Sequence, residues 1–200
     1  MSAAQIRLVQ EKDIPSILEI YRPYVLETAI SFEYEVPSIE DFNRRVRITA
    51  CDYPYLVYLL DEKIIGYAYA HKQMERAAYQ WNAELSVYVD QSYVRCGIGK
   101  ALYGCLLEIL SIQHVQNVYG IVRTPNPNSE KLHESFGFRK LGVFHQTGYK
   151  FGCWHDVAWF EKSIGTHDPC PQPFLSIQRI DPQAILEIMD RYSHAHAKNG

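Results

Sequence analysis

The spacing of hydrophobic and polar residues changes period repeatedly along the chain, and each change marks an element. Gln5 to Val9 alternates as a short strand. Asp13 is a good N-cap, Pro15 fits a first turn, and Ile14, Ile17, Leu18 and Tyr21 follow at helical spacing to about Glu27, with Pro23 placed to kink or divide the helix. Thr28 to Pro37 reads as loop. Ser38-x-x-Asp41 starts a second helix, whose Arg44, Arg45 and Arg47 read as a solvated face. Tyr55 to Leu60 and Ile64 to Ala70 are strands joined by a turn at Asp61-Glu62-Lys63. Lys72 to Trp81 breaks the pattern. Further on, Asn117 to Val122 is a strand, Thr124 to Asn128 a turn, and Ser129 caps a short helix that Gly137 ends. Phe138 to Phe144 and Trp154 to Phe160 complete the strands. Three prolines between His167 and Pro173 then make a strap, and Asp181-Pro182 opens a helix with Ile185, Ile188, Met189 and Tyr192 on one side.

The stretch Glu84 to Leu107 stands at the centre of this order. Leu85, Val87 and Val89 alternate as a strand, and Ile98, Ala101, Leu102, Cys105 and Leu106 mark one face of a helix. Arg95, Gly97 and Gly99 lie in the turn between them. A strand feeding a glycine turn that opens a helix offers free N–H groups and a positive dipole end to an anion. Two well-known phosphate loops do not match. A P-loop needs Gly-Lys-Ser/Thr, and Gly99-Lys100 is followed by Ala101; the dinucleotide fingerprint needs a third glycine beyond Gly97 and Gly99. Taken alone, the turn reads equally well as a plain connection.

The whole order, β-α-α-β-β-β-α-β-α-β-β, predicts a mixed α/β domain with helices packed on a largely antiparallel sheet over residues 1–164, and a strap and helix over 165–200. Composition is that of an ordinary globular protein, and a net charge of −3 gives no support for nucleic acid or an anionic membrane as partner. No apolar run approaches the length that spans a bilayer. Five cysteines without a Cys-x-x-Cys pair suit a reducing cytoplasm. His194 and His196 have no further ligand nearby, so the tail reads as frayed and no metal is expected.

Three further segments carry a resemblance: Trp81-x-x-Glu84-x-Ser86-Val87-Tyr88-Val89, Leu132-His133-Glu134-x-x-Gly137-Phe138, and Gly148-Tyr149-Lys150-Phe151-Gly152-x-Trp154-His155-Asp156-Val157. With the glycine turn, they make residues 4–163 resemble the GNAT superfamily of N-acetyltransferases, in its phosphinothricin and methionine sulfoximine acetyltransferase branch. The resemblance implies acetyl-CoA as co-substrate, a small-molecule amine as acceptor and a homodimer. It places Val87, Tyr88 and Val89 along the pantetheine arm, with Val94, Arg95, Cys96, Gly97, Ile98 and Gly99 on the pyrophosphate and Asn126 beside the arm. It also makes Glu84 the base, His133 the acid for the departing thiolate, and Phe32, Arg76 and Tyr79 the acceptor pocket. The family's pyrophosphate loop begins with Gln or Arg, whereas this chain has Val94 there with Arg95 beside it.

Each assignment has a plainer counterpart. Glu84 can be a solvated strand-end carboxylate, His133 a satisfied half-buried histidine, Arg76 a solvated loop residue, Asn126 a turn residue, and Val87 and Val89 ordinary core. Direct attack in a ternary complex needs no covalent nucleophile, so Cys96 and Cys153 read as packing residues rather than acetyl carriers. Two other readings stay open: a GNAT enzyme with another acceptor, such as a polyamine, an aminoglycoside or a protein N-terminus, and a non-catalytic acyl-CoA-binding module.

Overall fold

The computed structural model describes residues 3–193; His194 and His196 lie outside them. Strand β1 (Ala4–Leu8) leads through helices α1 (Ile14–Leu26) and α2 (Ile39–Asp52) to the hairpin of β2 (Tyr55–Leu60) and β3 (Lys63–Lys72). Asp61 and Glu62 turn that hairpin with φ of 47° and 70°. Strand β4 (Asn82–Val89), helix α3 (Ile98–Ile112), strand β5 (Asn117–Thr124) and helix α4 (Pro127–Ser135) follow, then β6 (Arg139–Lys150), β7 (Cys153–Ser163) and α5 (Pro182–Ser193). Among the described residues the strands form one sheet, ordered β1-β2-β3-β4-β5-β7-β6.

Because side chains alternate across a strand, the sheet feeds two cores. On one face α1 and α2 bury Ile17, Val25, Phe42 and Val46 against Tyr55, Val57 and Tyr67. On the other α3 brings Leu102, Leu106 and Leu110 onto Leu56, Ala68, Leu85 and Val118. Helix α5 joins this second core through Ile185, Ile188 and Met189, and the Ser193 hydroxyl accepts the Ile6 N–H at 2.7 Å. The C-terminal helix thus covers an apolar groove of its own chain.

Helix α1 runs to Leu26 as expected, undivided at Pro23; a proline inside a helix forfeits one N–H bond, and packing on the sheet retains the rest. Two local expectations need correction. Asn126, not Ser129, caps α4, its carbonyl oxygen accepting the Ser129 N–H. Strand β6 does not stop at Phe144 but reaches Lys150, past a register shift between Phe144 and Gly148 where the alternation lapses. Among the described residues, no helix is long and apolar enough to cross a membrane, and no group of three or more His, Cys, Asp or Glu could hold a metal ion.

Candidate active site

Strands β4 and β5 are the sheet's parallel pair, and they stay paired only over Asn82–Glu84 against Asn117–Tyr119. Beyond Glu84, β4 keeps its ladder with β3 and β5 keeps its own with β7, so a cleft opens between them. The Val89 peptide faces this cleft: the Tyr24 hydroxyl donates to its carbonyl at 2.6 Å, and its N–H donates to that hydroxyl at 3.4 Å. With a period of two, the peptides of Val87 and Leu85 point the same way. Their side chains face α3, whereas Tyr88 turns to the opposite face, where its ring packs on Tyr21, Tyr24 and Tyr67.

At the mouth of the cleft the chain turns into α3 through Arg95 and Gly97, at φ of 67° and 78°. Gly97 is the helix N-cap and needs the left-handed freedom that glycine alone has without strain. The first N–H groups of α3 therefore face the groove without a capping side chain above them. The groove measures about 540 Å³ and is bounded by Thr28 and Ile30, by Val87 and Val89, and by the turn from Val94 to Lys100. Arg95, Lys100 and Lys131 line it, so a helix mouth and three cations converge on one concave surface suited to a polyanion. Val94 is half exposed there, and Asn126 lines the groove while capping α4. Cys96 and Cys153, expected to pack, are both exposed, since each lies in or beside a turn.

Glu84 occupies the point where β4 and β5 part, on the sheet face that carries α1 and α2. Burial raises its pKa, and His71 partly opposes the shift. His71 stands directly opposite on β3, with Nε2 3.7 Å from Glu84 Oε1. On the same face lies a cavity of about 230 Å³, walled by Tyr21, Tyr67 and Tyr69 with Glu33, Arg45 and His71. Arg45, read as solvated, donates to Glu33 at 2.5 Å on its rim. Burial pushes the Tyr21 hydroxyl up to about 12 and that of Tyr67 well above its usual range, so both remain donors at neutral pH.

His133 is elsewhere. It is 3% exposed and packs against Phe138 and Phe160. Nδ1 donates to the Ser129 carbonyl at 2.8 Å, leaving Nε2 to accept the Tyr103 hydroxyl at 2.9 Å. Burial lowers its pKa. The ring is neutral and directs no N–H at the groove, so the geometry gives no support to the acid role and matches a satisfied core histidine. Arg76 and Tyr79 are exposed on the loop between β3 and β4 and line neither cavity. Phe32 packs against the distal hairpin: a Cβ on Gly148 would lie 2.3 Å from its ring, and its centroid is 6.0 Å from that of His155.

Sequence reasoning passed over His71 and its neighbours. Tyr67, Tyr69 and His71 at period two on one strand, with Tyr55 on the next, were the available signal for a polar-lined cavity.

A mixed sheet parted at its parallel pair, with a helix N-terminus at the opening, is the arrangement of the GNAT class of acetyltransferases. The family described as Acetyltransferase (GNAT) domain matches residues 6–159. A phosphinothricin N-acetyltransferase of Streptomyces viridochromogenes is 30% identical over 88% of this chain and 96% of its own. An L-methionine sulfoximine/L-methionine sulfone acetyltransferase of Salmonella typhimurium is 27% identical over 81% of this chain and 95% of its own. Among solved structures, a GNAT superfamily phosphinothricin acetyltransferase from Sinorhizobium meliloti in complex with AcCoA superposes with a TM-score of 0.83 at 30% identity, covering 89% of this chain and 98% of that one. The chain belongs to the GNAT acetyltransferase family.

Proposed function

We propose that the protein transfers acetyl from acetyl-CoA to the amino group of a small amino-acid-like substrate of the phosphinothricin or methionine sulfoximine type, by direct attack in a ternary complex. The observation that carries this reading is the parting of β4 from β5 at Glu84, a carboxylate of raised pKa whose cross-strand partner His71 lines a tyrosine-walled cavity, with a groove suited to a polyanion between the parted strands and α3. The names of the relatives supply the substrate class.

When bound, acetyl-CoA supplies an acetyl group on a thioester, whose carbonyl is open to an amine and whose thiolate is a competent leaving group. The α3 mouth with Arg95, Lys100 and Lys131 would hold its pyrophosphate, and the Val87 and Leu85 peptides would pair with its amide-bearing arm. A β4 N–H aimed into the cleft stabilises charge on the carbonyl oxygen. Glu84 accepts a proton from the acceptor amine, directly or through water. Orientation supplies up to about 7–11 kcal/mol of the barrier in such arrangements.

The protein acts as a cytoplasmic homodimer in this reading. Tyr149, Phe151 and Trp154 are exposed at the end of the β6–β7 hairpin, with Tyr149 and Trp154 packed ring to ring, an apolar surface suited to a second copy. The test is thiol release from acetyl-CoA with phosphinothricin, methionine sulfoximine, plain amino acids, a polyamine, an aminoglycoside and a peptide N-terminus. Turnover is expected with an amino-acid analogue, and Glu84→Gln is expected to lower it about 10²-fold with acetyl-CoA affinity kept. Turnover only with a polycation or peptide would sink the substrate class; acetyl-CoA binding with no turnover on any amine would make the protein a binding module.

A further inference from the structure

Glu84 does not meet the tyrosine cavity by itself, because His71 is the titratable side chain of that pair that lines it. The two residues are cross-strand partners on β3 and β4, so the sheet itself fixes their separation. The Nδ1 atom of His71 lies 3.0 Å from the Lys72 carbonyl oxygen. A carbonyl can only accept, so Nδ1 carries a hydrogen, and in the neutral form of the ring Nε2 keeps its lone pair. That lone pair stands 3.7 Å from Glu84 Oε1. Two acceptors cannot hydrogen-bond each other without a donor between them. One nitrogen placed about 2.8 Å from both, an ordinary hydrogen-bond length, would bridge them. The group that fits is a donor with several hydrogens, as an ammonium is. The neighbouring Tyr69 ring, 5.9 Å away between centroids, holds the imidazole from the side.

We propose that His71 Nε2 and Glu84 Oε1 together form the seat of the acceptor ammonium, and that His71 is a catalytic residue which takes the first proton. This rests on the reading of the protein as an N-acetyltransferase and deepens it. The proton balance is complete. An N–H bond of the ammonium breaks, its proton bonds to the Nε2 lone pair, and the electron pair left on nitrogen attacks the thioester carbonyl carbon. As the C–S bond breaks, the sulfur takes its electron pair and a second proton from nitrogen, leaving the amide with one. The imidazolium, paired with the Glu84 carboxylate, returns its proton to water through the cavity.

The other groups around the cavity leave this pair as its proton acceptors. Arg45 of α2 and Glu33 of the α1–α2 loop neutralise each other as an ion pair. Tyr21 of α1, Tyr55 of β2, and Tyr67 and Tyr69 of β3 have hydroxyls pushed upward by burial. Lys72, beside His71 on β3, reaches instead to Glu75 at 3.4 Å.

The test compares wild type, His71→Gln and His71→Ala with methionine sulfoximine and phosphinothricin as acceptors, across pH. His71→Gln is expected to lower kcat/KM for the amine about 10²-fold while the acetyl-CoA KM stays put. The acidic limb of the profile is expected to move, because one of the two neighbouring proton acceptors is gone. Added imidazole is expected to restore part of the His71→Ala rate. A variant with wild-type rate, or one that is slower with an unmoved acidic limb, overturns the proposal. A binding arm separates this from failure of the broader reading. If wild type acetylates neither probe, NMR titration of the full-length protein with methionine sulfoximine still decides. A shift of the His71 ring signal that Glu84→Gln abolishes supports the seat, and an unmoved signal sinks it.

Discussion

A buried imidazole is governed by where its two nitrogens point, and His133 has both committed inside the fold. Replacing it with phenylalanine strands the Tyr103 hydroxyl that Nε2 now accepts, so His133→Phe is expected to cost about 1–3 kcal/mol of stability, read by denaturant titration, with turnover per folded molecule kept. The sign of its pH dependence follows from burial, which lowers the folded-state pKa. Between that lowered value and the usual value of about 6.5, the unfolded chain binds more protons than the folded one, so stability rises with pH. The contribution is complete above about 6.5 and is lost as pH falls below it. The gap in stability between wild type and His133→Phe is therefore expected to narrow on acidification, and a gap that widened would contradict a neutral buried ring. Glu84, with its raised pKa at the parting of two strands, is expected to behave oppositely to His133, losing rate without losing stability when changed to glutamine.

At the scale of elements, the candidate site is built on strand β4, its left-handed turn and helix α3. Gly97→Val places a β-branched residue at a φ of 78°, a strain of about 1–3 kcal/mol applied at the helix mouth. Acetyl-CoA affinity is expected to fall about tenfold or more, the factor corresponding to 1.4 kcal/mol of that strain, as measured by calorimetric titration; unchanged affinity would remove the pyrophosphate cradle. This unit was legible in the sequence because a switch from period two to period 3.6 around glycines is a local signal, and the same holds for the Ser38 cap and the β2–β3 turn. What depends on register between strands was not legible. His71 faces Glu84 only because β3 and β4 pair at that offset. Arg45 meets the cavity only because α2 packs across the tyrosines of β2 and β3. The surroundings of His133 were hidden for a related reason: a motif gives its place on α4, but its packing against Phe138 and Phe160 and its Tyr103 partner come from distant parts of the chain. At the Val94 departure, Arg95 lines the groove beside it.

Across the whole molecule, one side chain ties the distal hairpin to the walls of both cavities. Lys150, at the end of β6, is 1% exposed, and Nζ donates to the carbonyls of Val25, Thr28 and Ser31 at 2.6, 2.9 and 2.6 Å. These carbonyls belong to the C-terminal end of α1 and the loop beyond it, where the helix dipole also favours a cation. Tyr34 adds a second tie by donating to the Tyr149 carbonyl at 2.6 Å. The segment so held supplies Thr28 and Ile30 to the groove and Glu33 to the tyrosine cavity, so the hairpin sets the position of residues more than a hundred positions earlier. Burial lowers the pKa of Lys150, with Glu33 opposing, yet three acceptors in its shell keep the charged form satisfied. Lys150→Met keeps most of the volume and removes all three bonds. Stability is expected to fall by about 2 kcal/mol or more, given about 1.5–3 kcal/mol for a hydrogen bond to a charged group. The KM for acetyl-CoA and for the amine are expected to rise together while kcat at saturation changes less, because the walls loosen while His71 and Glu84 stay held in the β3–β4 ladder. Steady-state kinetics below the variant's melting temperature separate the two effects. Unchanged KM values in a destabilised variant would make Lys150 a stabilising residue with no part in shaping the site.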